Sequence, residues 1–327
     1  MTVLIVLVAL AVGAYLVAVL ESWAVHGRLE PARPAISALA LLGRESLLAR
    51  TPDRLFFEAG PVVLLVAGLL AVAVIPLAPG LIVTDLATGA LFLNAALAYV
   101  LVALIMAGWG PNGAYAMIGG WRFLGQFVAY AMLIVMPITA VAMRAESLST
   151  VDIVTSQSTL WNIAYQPLGF VLFVAAAMGL CWLPPLDLPT ARGDLAGGIE
   201  AEYTGARLAV LRLARMVLIM ALAGATVTFY LGGWLGPWLP AWAWSAVKIL
   251  IVAGLMVSAG RLVRHRRISH SFNGALRTSV TVFANRRGCD VPADAGGISG
   301  RLADHDDGHG DERHGDLHGD VHDGPRR

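Results

Sequence analysis

The 327-residue chain has 14% charged and 57% hydrophobic side chains and a mean hydropathy of +0.71, whereas a soluble domain carries about 25% charge. An ordinary soluble fold is excluded and an integral membrane protein is expected. The net charge of +1 hides two unlike parts: residues 1–287 hold 19 basic and 12 acidic side chains, and residues 288–327 hold 4 basic and 10 acidic.

A spanning helix needs about 20 mostly apolar residues. Splitting the uncharged stretches at Gly, Pro and Asn clusters predicts an all-α polytopic bundle of seven spans, at roughly 2–20, 59–79, 86–107, 123–143, 165–186, 208–231 and 243–260. The first lacks the basic flank of a signal peptide and is read as a helix. After it, Glu30-Pro31-Ala32-Arg33-Pro34 forms a proline-limited turn, and residues 35–48 are expected to lie as an amphipathic interfacial helix. In span six, Arg212 and Arg215 share one face; they either snorkel to the headgroups or pair with Asp187 or Glu202. Lys248, inside span seven, has the same choice between snorkelling and a role in coupling.

Short loops rich in Arg and Lys resist translocation. One side collects seventeen arginines, from Arg28 to Arg287, and the other has Arg144, with Lys248 just inside a helix. This places the N-terminus outside and the C-terminus in the cytoplasm of a bacterial cell membrane. The tryptophans from Trp234 to Trp244 then fall at the outer interface. Nine of the body's twelve acids lie in the cytoplasmic segments 21–58 and 187–207, so chemistry is expected on that side, although carboxylates also merely neutralise neighbouring arginines.

The chain divides into a membrane domain, 1–287, and an acidic tail, 288–327. The tail has too few apolar residues to fold. His305, His309, His314, His318 and His322 recur there with Asp and Gly, a composition that can hold transition-metal ions. Cys181 and Cys289 match no cluster or redox spacing. With no Gly-rich dinucleotide loop either, the chain is expected to hold no cofactor of its own and to catalyse nothing alone.

Two segments carry a resemblance. Residues 108–130, GWGPNGAYAMIGGWRFLGQFVAY, and 185–205, PLDLPTARGDLAGGIEAEYTG, are similar to the membrane protein of respiratory complex I called the H subunit or subunit 1, whose relatives occur in energy-converting hydrogenases. Glu21, Arg44-Glu45, Asp53-Arg54, Ile75-Pro76, Asp85-Leu86, Trp161-Asn162 with Gln166, Gly232-Gly233-Trp234 and Lys248 agree as well. The resemblance covers roughly residues 1–275. It implies a membrane anchor that docks the cytoplasmic iron–sulfur redox arm, contacts antiporter-like membrane subunits, and contributes to the quinone chamber and proton path. Quinone would be a shared substrate, lipid the surroundings, and nucleic acid no partner. Glu45, Asp187, Asp194, Glu202 and Arg122 are the expected working residues, and Glu21, Arg54 and Tyr130 the chamber wall.

The sequence also departs from the family. Tyr130-Ala131 stands where the family has Tyr-Glu, Thr190 and Arg192 replace two glutamates, and Arg215 replaces a third. Arginine stays protonated, so unless water or another acid bridges the gap the usual relay is interrupted. The loop after Glu21 is shorter than the family's, and residues 268–285 are too polar for its eighth span. These departures keep two alternatives open: a structural paralogue or hydrogenase-type subunit without quinone use or pumping, and a stand-alone metal-ion transporter.

Overall fold

The computed structural model describes residues 2–27, 30–45, 52–236 and 240–265. These form α1 (Thr2–His26), α2 (Ala32–Leu42), α3 (Arg54–Ala73), α4 (Gly89–Trp109), α5 (Ala114–Ala145), α6 (Thr150–Thr155), α7 (Asn162–Tyr165), α8 (Pro167–Leu180), α9 (Arg192–Leu195), α10 (Gly205–Tyr230) and α11 (Ala241–His265). No strand occurs among the described residues, as expected where lipid cannot satisfy an open sheet edge. The His-rich tail and residues 268–285 lie outside the described residues.

Among the described residues, six helices are long and apolar enough to cross a membrane: α1, α3, α4, α5, α10 and α11. The fifth expected span, 165–186, differs. Its helix α8 has 14 residues, about 21 Å of rise against about 30 Å of hydrocarbon. Pro167 starts it, and the chain leaves helical geometry at Cys181 and Trp182. The helix expected from residue 35 appears as α2, starting three residues earlier than its sequence pattern indicates; it stops at Gly43 and buries no residue. Tyr15 donates to Pro31 O at 2.6 Å, tying the turn before α2 back to α1.

The core is built on α10, where every residue from Ala221 to Tyr230 is buried. A helix apolar on all sides belongs in a bundle centre, and α10 packs against α1, α3, α8 and α11. Small residues bring neighbouring backbones together, as membrane bundles require. Gly60 of α3 faces Ala107 of α4 so closely that a Cβ there would come within 2.9 Å of the Ala107 nitrogen.

One end of the bundle is rich in Trp and polar side chains that close α10. The last carbonyls of a helix lack intrahelical donors. Here Gln157 Nε2 donates to Thr228 O at 2.8 Å and Asn162 Nδ2 donates to Phe229 O at 2.8 Å. Lys248 Nζ, 7% exposed, donates to Leu231, Gly233 and Leu235 carbonyls at 2.7, 3.1 and 2.8 Å. It also lies 4.4 Å from the Trp161 ring centre and 5.5 Å from that of Trp244. Lys248 therefore does not snorkel. Its charge sits at the negative end of the α10 dipole, and Trp161, Asn162, Gly233 and Lys248, scattered in sequence, form one cap.

Candidate functional site

The opposite end gathers both resembling segments. Asp53 N donates to Gly110 O at 2.9 Å, joining the entry of α3 to the turn after α4. The 3-10 turn Leu188–Thr190 lies on the start of α5, where a Cβ on Gly119 would come within 2.6 Å of Pro189 O. Residues 185–205 therefore fold over the mouth of α4 and α5 at backbone contact, and only a glycine at 119 leaves room.

Tyr203 fastens this fold. A proline inside a helix leaves the carbonyl four residues earlier without its donor. Pro61 does this to Phe57 O, and Pro111 does it to Ala107 O at the end of α4. The Tyr203 hydroxyl sits between the two, 3.2 Å from Phe57 O and 3.3 Å from Ala107 O. Its ring stacks on Phe57 with centroids 4.6 Å apart. Burial pushes the phenol above its ordinary pKa, against the pull of Arg207, so it stays a donor. Tyr203→Phe strips two buried carbonyls of their one hydroxyl and is expected to cost about 1–3 kcal/mol. Thermal unfolding of the purified chain in mild detergent checks this, and an unchanged midpoint would mean that water replaces the hydroxyl.

Of the expected working residues, the structure brings Arg122 and Asp194 together, Nη1 to Oδ2 at 3.2 Å. Asp194 is well exposed, so the pair contributes at most about 1 kcal/mol. Glu202 lies against Gly113, whose Cβ would come within 2.6 Å of its Oε1. Asp187 is half-buried at the start of the Leu188–Thr190 turn. Glu45 and Arg54 are exposed, and among the described residues no ion pair joins them to these. Tyr130 is half-buried and packs on Gly179, beside Gln126, whose Nε2 donates to Gly179 O at 2.7 Å and Leu186 O at 2.9 Å.

Glu21 is placed with a different set. Arg215 Nη2 lies 3.4 Å from Glu21 and Nη1 3.9 Å from Glu200. The same guanidinium donates from Nε to Cys181 O at 3.2 Å and from Nη2 to Trp182 O at 3.3 Å. The three charged side chains, Arg215, Glu21 and Glu200, are 16%, 21% and 18% exposed. Arg215 pairs, but with Glu21 and Glu200 instead of Asp187 or Glu202, while Arg212 is exposed. A third pair, Arg207 with Glu58 at 3.2 Å, sits beside Phe57 and was not foreseen. The signal for it was weak: Glu58 and Arg207 are 149 positions apart.

The family model for NADH dehydrogenase matches residues 2–282. The H 1 subunit of an NADH-quinone oxidoreductase from Geobacter metallireducens is 34% identical over 230 residues, which span 68% of this chain and 70% of that protein.

Proposed function

The chain belongs to the NADH dehydrogenase family that contains the complex I H subunit, and from that premise we propose that it is a membrane-anchor subunit of an NADH:quinone oxidoreductase-type complex. The end that joins residues 108–130 to 185–205 faces the cytoplasm and docks the iron–sulfur arm. The observation that carries this is the convergence of those two segments into one backbone-packed surface, which leaves Asp194 outward on the Arg122 pair. A rigid surface with an exposed carboxylate suits a protein partner more than a lipid one. Asp187 and Glu202 line the same surface, and Arg54 follows Asp53, whose amide bonds Gly110 there; Glu45 is exposed. Tyr130, packed on Gly179, contributes a phenol and an apolar wall to a quinone chamber shared with the arm. Antiporter-like subunits complete the membrane part, and the tail histidines have no assigned part in this function.

The test is a mild-detergent pull-down of the full chain from its native membrane, with a quinone-reduction assay on the same preparation. Co-recovered iron–sulfur and antiporter-like subunits with quinone turnover are the expected result. Partners without turnover would leave a scaffold that holds a redox module. A chain recovered alone would overturn the proposal and make the metal-transporter alternative the next to test.

A further inference from the structure

Within the six spanning helices of the described residues, acids occur only at Glu21 and Glu58, both near the loop-rich end. Glu58 is exposed and paired with Arg207. Glu21 enters the cluster on Arg215, which joins four parts of the chain: α1 through Glu21, the 3-10 turn Gly198–Glu202 through Glu200, the segment after α8 through the carbonyls of Cys181 and Trp182, and its own α10. A guanidinium presents a rigid planar fork of donors and does not give up its proton. Here Nε and Nη2 donate to carbonyls, Nη2 also faces Glu21, and Nη1 faces Glu200 at ion-pair distance. The Trp182 ring lies 5.6 Å from its carbon, closing that side with an apolar face.

The path beyond Arg215 is equally committed. The next polar side chain along α10 is Thr226, eleven residues on, about 16 Å of helix rise. Its hydroxyl donates to Leu222 O at 2.7 Å, and that of Thr228 donates to Gly224 O at 2.9 Å. Lys248, at the far end, is held by three carbonyls.

We infer that Arg215 is a fixed-charge plug: it holds Glu21 and Glu200 as its counter-ions at the loop-rich mouth of the bundle and lets no proton enter along α10. The inference deepens the proposed membership in a quinone-reducing complex by making this subunit an insulated part of it. Any proton movement tied to quinone reduction then runs through other subunits. Removing the plug should turn the two carboxylates into a proton-binding pair, because two like charges in a partly desolvated site disfavour joint ionisation.

The first measurement is infrared difference spectroscopy of the purified full chain in lipid near neutral pH, reading the carbonyl stretch of protonated carboxylic acids. In Arg215→Gln a new acid band is expected, and it should vanish in the double variants with Glu21→Gln or Glu200→Gln. Arg215→Lys keeps a cation and should show no such band. If Arg215→Gln does not fold, the single variants Glu21→Gln and Glu200→Gln carry the test: neither should remove any acid band present in the wild type. A wild-type band lost in either variant would overturn the inference, as would an Arg215→Gln protein without a new band. The second measurement uses the intact complex in sealed vesicles. Protons moved per quinone reduced should be unchanged by Glu200→Gln, and a fall in that ratio would overturn the plug. Absence of any quinone-reducing complex would instead count against the proposed function and leave the spectroscopic result standing by itself.

Discussion

Lys248→Met is expected to give the largest loss of folded protein of any single substitution at the Trp-rich end. Methionine matches the length of lysine and keeps its apolar stem, so the change removes the ammonium and little else. Three carbonyls then lose a donor at 2.7–3.1 Å; Leu235 O keeps Trp244 Nε1 at 2.7 Å, whereas those of Leu231 and Gly233 are left without one. A buried polar group left unpaired costs about 1–3 kcal/mol, and water cannot readily substitute beneath Trp161 and Trp244, whose rings lie over the ammonium. The summed cost is several kcal/mol, a large share of a typical protein's stability. The expected readout is a strongly reduced amount of folded chain in the membrane and an early unfolding transition in mild detergent. Lys248→Arg, which keeps the charge and its donors, should lose much less. A wild-type unfolding transition for Lys248→Met would show that the desolvation cost of the ammonium cancels its bonds. If Lys248→Met folds normally but stops quinone turnover, the residue serves coupling and not the cap.

How much of this was legible beforehand depends on whether a feature is local in sequence. The long apolar runs made six of the seven expected spans visible, because lipid leaves a helix no alternative way to satisfy its backbone. The fifth run, 165–186, has the right hydropathy, yet Gln166-Pro167 and the turn at Cys181 and Trp182 cut it to 14 residues. Hydropathy counts apolar residues and not the turns between them. At the candidate site, the two resembling segments were recognisable, and so was the reversed charge at Arg215. Its partners were not, since Glu21, Glu200 and Arg215 meet only once α1, α10 and the connecting segment are packed. Tyr203 shows the same limit. Pro61 and Pro111 mark Phe57 O and Ala107 O as carbonyls in need of a donor from sequence alone, but nothing local says that a tyrosine more than ninety positions away from either supplies it.

Gly198→Ala should separate the surface that docks the redox arm from the bundle that anchors it. Gly198 has a φ of +53° and lies so close to Pro189 O that a Cβ would collide with it. An alanine in this left-handed region costs about 1–2 kcal/mol before any clash, and the clash adds to it. Relief requires the Leu188–Thr190 turn to move, yet Pro189 O also rests on Gly119 of α5, so the turn can only lift off the helix. Both residues lie in the connecting segment, outside the spanning helices, so membrane insertion and the unfolding of the spans should change little. The segment carrying Asp187, Asp194 and Glu202 should loosen. On the purified chain this predicts faster tryptic cleavage between residues 187 and 207 at unchanged amounts of inserted protein. On the native complex it predicts a loss of recovered iron–sulfur partners of roughly tenfold, the equivalent of about 1.4 kcal/mol. Ala201→Ser, an exposed position in the same turn, should change neither. Faster cleavage with full partner recovery would remove the docking role from residues 185–205 and leave their packing intact as a purely structural feature. Unchanged cleavage would mean that the turn accommodates a Cβ by a small local shift, against the geometry at Pro189.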